Sequence, residues 1–103
     1  MYINPRLRIL IFNISEQISK TSKERRVLDR AAVFSLLISL GVDTSKVRNI
    51  HRRGERVSAE DCRPLCVTFT SVYARNYCLM RANDKNLSIL PCKIRGDRKE
   101  GCQ

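Results

Sequence analysis

The chain has 103 residues, 43% of them hydrophobic and 29% charged, enough for one packed core and too apolar for general disorder. Twenty Lys and Arg stand against ten Asp and Glu, a formal charge of +10, which points to a polyanionic partner, nucleic acid before an anionic membrane surface. No apolar run approaches the roughly 20 residues that span a bilayer, and Arg8 interrupts any signal-peptide core, so neither a membrane segment nor secretion is expected.

The first predicted element is "RILIFNI", Arg8 to Ile14. It is short for a helix and rich in isoleucine, hence a β-strand, with Leu7, Ile9 and Ile11 on one face and Arg8, Leu10 and Phe12 on the other. Two apolar sides predict a central strand. Asn13, at the strand's end, suits a residue that bonds neighbouring backbone and turns the chain, with base contact secondary. A helix follows from Thr21 or Ser22, where Thr21 and Glu24 have capping-box spacing. Val33, Leu36, Leu37 and Leu40 form its apolar stripe, widened by Ala31, Phe34 and Ile38, and Gly41 supplies the left-handed stop.

"KVRNIHRRGER", Lys46 to Arg56, has Val47 and Ile50 three apart, so its strand is short, bulged or at an edge. "CRPLCVTF" alternates clearly, with Leu65, Val67 and Phe69 inward and Pro64, Cys66 and Thr68 outward. Thr70 or Ser71 caps a second helix to about Ala82, with Ala74, Tyr77, Cys78 and Ala82 on one side and Tyr73 partly exposed. Leu87 to Arg95 offers a last strand, Ile94 inward and Lys93 and Arg95 outward, before a polar tail. The expected organisation is one domain over 1–97 and a flexible tail over 98–103. The order β-α-β-β-α-β predicts an α+β, ferredoxin-like fold: two helices on one face of a four-stranded antiparallel sheet, the other face open.

"ILIFNI" resembles the short first-strand motif of RNA-recognition-motif (RRM) domains, which ends in Asn and an aliphatic residue, and "PLCVTF" stands where that family's longer third-strand motif lies. The usual aromatic of the short motif is replaced by Leu10, with Phe12 two residues on. The outward positions of the longer motif hold Pro64 and Cys66 in place of stacking aromatics. The succession "LRILIFNI", "LLISLGV", "NIHRRGER", "RPLCVTFTS", "YARNYCLMRA" and "KIRGD" is similar to the RRM-like segments encoded by non-long-terminal-repeat retrotransposons. That resemblance implies binding of single-stranded nucleic acid, mainly the element's own RNA, with cations more prominent than aromatics, in a retroelement ribonucleoprotein.

The expected binding residues are Arg8, Leu10, Phe12, Asn13, Arg52, Arg53, Arg56, Arg63, Lys93 and Arg95. Arg8, Lys93 and Arg95 should project from adjacent strands, and Arg52, Arg53 and Arg56 should follow the second strand. Arg25, Arg26 and Lys99 are read as ordinary solvated charges. An Arg52→Ala/Arg53→Ala variant is expected to stay folded and bind with a flatter salt dependence. RNA or single-stranded DNA is the expected partner, with self-association through an apolar patch of Leu10, Phe12, Pro64 and Cys66 as the rival. Five cysteines, an odd number without a secretory signal, predict free thiols in an intracellular setting. No metal or cofactor is expected from their spacing with the one histidine. His51 has no evident nucleophile or carboxylate beside it, so the expectation is a binder and not an enzyme.

Overall fold

The computed structural model describes residues 4–15, 21–54, 63–84 and 93–96. Four strands, β1 (Arg8–Phe12), β2 (Val47–Arg52), β3 (Leu65–Phe69) and β4 (Lys93–Gly96), form one antiparallel sheet in the order β2-β3-β1-β4. Two helices, α1 (Ser22–Ser39) and α2 (Val72–Ala82), complete an α+β architecture, with short 3-10 turns at Pro5–Leu7 and Thr44–Lys46. β1 and β2 both run against β3, which separates them; β3 and β4 both run against β1, which separates those two. Each β-α-β unit is thus split by a strand of the other.

The core lies on one side of this sheet. Ile9, Ile11, Leu65, Val67, Phe69 and Ile94 point to it from the strands, and Val33, Leu37, Leu40 and Cys78 meet them from the helices. Both helices therefore cover the same face. This is the alternation expected of β1 and β3, and β1 is central as its two apolar sides require. β2 lies at an edge and carries a register shift between Val47 and Asn49, the bulge its irregular spacing implied.

The ends of both helices follow local chemistry. Thr21 caps α1 by accepting from the Glu24 N–H at 3.2 Å, and Ser71 caps α2 through the Ala74 N–H at 3.1 Å. At the C-terminus of α1, Gly41 adopts φ +75° while Gly41 N–H donates to Ile38 O and Val42 N–H to Leu37 O. This pair of bonds is a Schellman closure, and it needs a residue without a Cβ penalty. Arg81 of α2 donates from Nε to Leu40 O at 2.8 Å, joining the two helices where α1 ends.

Two packing expectations are corrected. Ile38 is 66% exposed, because the buried part of the α1 stripe is Val33, Leu37 and Leu40, with Phe34 and Leu36 packed partly buried beside them. Tyr77, expected in the core, is 43% exposed: Cys78, one position on, takes the sheet-facing direction, which leaves Tyr77 at the flank. With Tyr73 and Met80 it forms an exposed stripe at i, i+4, i+7 on α2. The fourth strand is described only over Lys93–Gly96; the expected stretch 87–92 and the tail 98–103 lie outside the described residues.

Candidate nucleic-acid interface

The face opposite the helices is built from alternate residues of the four strands. Leu10 of β1 stands between Cys66 of β3 and Arg95 of β4, and Cys66 in turn pairs with His51 of β2. A second row runs from Arg8 through Thr68 to Asn49, and Phe12 pairs with Lys93. The register thus brings Arg8, Lys93 and Arg95 onto one face of two adjacent strands, around Leu10 and Phe12. Lys93 and Arg95 are exposed, and Arg8 and Phe12 half-buried.

Arg95 lies over the Phe12 ring, its guanidinium carbon 4.9 Å from the ring centroid. A cation at that distance is held by the ring's quadrupole, and the stacked pair is a flat, positively charged surface. Its chemistry suits a base and the phosphate beside it. The centre of the face is not open as expected. Leu10 is only 7% exposed, and Cys66 and Thr68 are fully buried, although none of the three belongs to the core beneath the helices. What remains accessible on this side is mainly the cationic and aromatic margin.

Asn13 closes β1 with φ +67°, in the left-handed region that asparagine tolerates better than other non-glycine residues. Its place at the strand's end has a conformational cause, as the sequence indicated. His51, exposed on β2, has its pKa held below the usual value of 6.5, first by partial burial and then by the nearby charges of Arg53 and Arg8. Both causes favour the neutral imidazole, burial more than the surrounding positive charge.

Arg52 is a correction. It points to the helix side of the sheet, where Nε and Nη2 donate to the two carboxylate oxygens of Asp29 on α1 at 3.1 and 2.7 Å. Nη1 donates to Ile14 O and Arg63 O, and Nη2 also to Ser15 O. Arg52 pairs with Leu65, whose side chain is inward, so the pleat that places His51 outside places Arg52 inside. It holds α1, β2 and the ends of β1 and β3 together, and has no donor direction left for a ligand. The sequence signal available was parity with Ile50, weakened by the run of three basic residues that follows.

Arg53 is half-buried, and its backbone N–H bonds to Pro64 O at 2.9 Å, extending the β2–β3 ladder by one residue. Arg63 donates from Nη1 to Gly54 O at 3.1 Å, which sets its side chain beside the end of β2 rather than among Arg8, Lys93 and Arg95. Arg56 lies outside the described residues. Beside Arg63 is a feature the sequence reading missed: a cleft of about 230 Å³ lined by Ser22, Arg25, Arg26, Asp29, Ile50, His51, Arg52 and Arg63. Its basic residues come from three separate segments, so no local motif announces it. Among the described residues, no group of three or more His, Cys, Asp or Glu could hold a metal ion, and no helix is long and apolar enough to cross a membrane. Comparison with protein-family models, curated proteins and solved structures returns no match.

Proposed function

We propose that this chain is a ferredoxin-like, RRM-like domain that binds single-stranded nucleic acid, RNA before DNA, with low sequence specificity. The observation that carries this reading is the Arg95–Phe12 stack on a face flanked by Arg8 and Lys93. Phosphates need cations spaced along a surface, and bases need a flat group to lie on; this margin supplies both. Among the described residues, a single aromatic on this face, Phe12, with Cys66 and Thr68 buried, gives little to read base identity, which supports backbone-dominated binding. The split β-α-β topology and the motif on β1 support the RRM-like assignment. The motif succession from "LRILIFNI" to "KIRGD" supports an intracellular retroelement ribonucleoprotein as the setting. No catalytic step is assigned to these residues.

A salt titration of oligonucleotide affinity tests the proposal. The log–log slope should be about −0.7 for each phosphate neutralised, and a Lys93→Gln/Arg95→Gln variant should flatten it by about 1.4 while melting normally. Affinity that is level across the salt series overturns the reading. The rival, self-association through the sheet, has little apolar surface to use when Leu10 and Cys66 are buried. A dimer that dissociates on Phe12→Arg substitution would favour it instead.

A further inference from the structure

α2 turns an uncharged face to solvent. Its exposed residues are Tyr73, Asn76, Tyr77 and Met80, and none of them carries a charge. Both arginines of the helix are directed elsewhere. Arg75 donates from Nε to Arg8 O at 3.2 Å and from Nη1 to Asn76 Oδ1 at 2.8 Å, and Arg81 donates from Nε to Leu40 O at 2.8 Å. The next charged residue along this line, Asp84, comes after the helix ends and is half-buried. α1 shows the contrast. Its exposed apolar residues Val27, Leu28 and Ile38 share the helix with exposed Lys23, Glu24, Arg26 and Arg30, the usual mixture of a solvated surface.

Tyr73, Tyr77 and Met80 are 87%, 43% and 59% exposed. At 100° per residue they fall within about 60° of one another around the axis. Cys78 packs into the core from the other side of the helix, so the stripe points away from the sheet. The three side chains offer roughly 400 Å² of surface, about half of what one partner buries in a standard stable interface. Charge selects the occupant. A nucleic-acid strand or an acidic segment would find no exposed cation on α2. A second copy of this chain brings +10 against +10, and it approaches most readily where no like charges meet. The face of α2 is such a place among the described residues.

The spacing is also self-complementary. Tyr77 has Tyr73 four positions before it and Met80 three positions after it. A two-fold axis through Tyr77 lays two α2 helices antiparallel and sets Tyr73 of one copy on Met80 of the other, a sulfur–aromatic contact. We infer that the chain forms a weak two-fold dimer through Tyr73, Tyr77 and Met80. Both helices cover the sheet face opposite the Arg95–Phe12 stack, so each copy keeps that stack open. The dimer does not depend on strand binding and is tested without it.

Sedimentation equilibrium of the full chain reads the association. The mean mass should rise from one chain toward two between about 10 μM and about 1 mM. The rise should be steeper in about 1 M salt than in about 0.1 M, because salt screens the repulsion between two basic copies. Tyr77→Arg should weaken the dimer at least about thirtyfold, and so should Tyr73→Glu at the most exposed position. Ile38→Arg adds the same charge at an exposed apolar residue of α1 and should leave the dimer unchanged, as should Phe12→Arg on the sheet. Thermal melting establishes that each variant is folded.

An equimolar mixture of Tyr73→Glu and Met80→Arg chains should recover the dimer that neither forms alone. The two-fold axis then sets one new carboxylate against one new guanidinium and leaves the other Tyr73–Met80 contact intact. The inference is overturned by a single-chain mass throughout the series, or by a dimer that survives Tyr77→Arg. Equal loss in Ile38→Arg overturns it as well, and loss in Phe12→Arg would assign the contact to the sheet instead. A mixture that stays monomeric overturns the two-fold arrangement. A chain that never dimerises but loses oligonucleotide affinity in Tyr77→Arg would place the strand on α2 and refute the dimer.

Discussion

Arg52 and Asp29 are joined by two parallel hydrogen bonds across 23 positions of sequence, between β2 and the second turn of α1. The side chains are only 5% and 14% exposed, so the pair is a buried one whose remaining guanidinium protons are satisfied by main-chain oxygens. Removing either partner would strand a charge away from water. Arg52→Ala should therefore cost about 3–5 kcal/mol of folding stability, read from urea unfolding. The Arg52→Ala/Arg53→Ala variant expected to remain folded should fail for this reason, whereas Arg53→Gln alone should fold. A melting curve for Arg52→Ala that overlays the parent would contradict the clamp.

Neighbouring residues of β1 should fail in different assays. Phe12 is half-buried under the Arg95 guanidinium, on the proposed binding side. Stacking on an aromatic is worth about 1–3 kcal/mol, so Phe12→Ala should weaken U-rich and A-rich strands alike, by about tenfold. Ile11 is fully buried against Leu65 and Ile94. Ile11→Ala should leave binding intact where folded but cost about 2–5 kcal/mol of stability. Loss of fold in the first and normal melting in the second would invert the assignment of faces.

The thiols should separate by burial. Cys66 and Cys78 are buried thiols, and burial pushes the Cys78 thiol up to about 11. Since the thiolate is the reactive form, both should resist alkylation of the native protein at pH 8 and react once it is unfolded. Intact mass with and without denaturant counts them. Rapid native modification of Cys78 would show that the α2–sheet contact opens readily.

Acidification should weaken the fold through His51. Its pKa is lower folded than unfolded, so between the folded value and 6.5 the unfolded chain binds more protons. Stability should be unaffected by this group above about pH 7.5 and should fall as pH drops through 6.5. His51→Gln should remove that part of the pH dependence, as measured by thermal melting across the range. Strand affinity should move the other way, rising on acidification, because protonated His51 adds a cation beside Arg8 and Arg53.

Much of the architecture was readable because its signals are local. The alternation of β1 and β3, the Thr21 and Ser71 caps and the Gly41 stop each depend on a few adjacent residues, and the structure keeps them. The same applies to the Arg8, Lys93 and Arg95 grouping, since strand parity fixes which side each one occupies. What the sequence concealed depends on tertiary partners. Arg52 sits in a run of basic residues, and only Asp29, on another element, separates it from its neighbours. Tyr77 and Cys78 are equally apolar by composition, and the rotation of α2 on the sheet decides between them. The arginine-lined cleft joins α1, β2 and the start of β3, so no window of sequence contains it.

The interleaving of strands has a consequence for how the chain acquires its structure. Residues up to Gly54 supply β1 and β2, which are not neighbours in the sheet; residues from Arg63 supply β3 and β4, which are not neighbours either. Among the described residues, every strand–strand pairing therefore crosses between the two halves of the polypeptide. The pairings described for these four strands cannot form until both halves have left the ribosome. The RILIFNI segment must wait for LCVTF, more than fifty residues later, before the β1–β3 ladder can form.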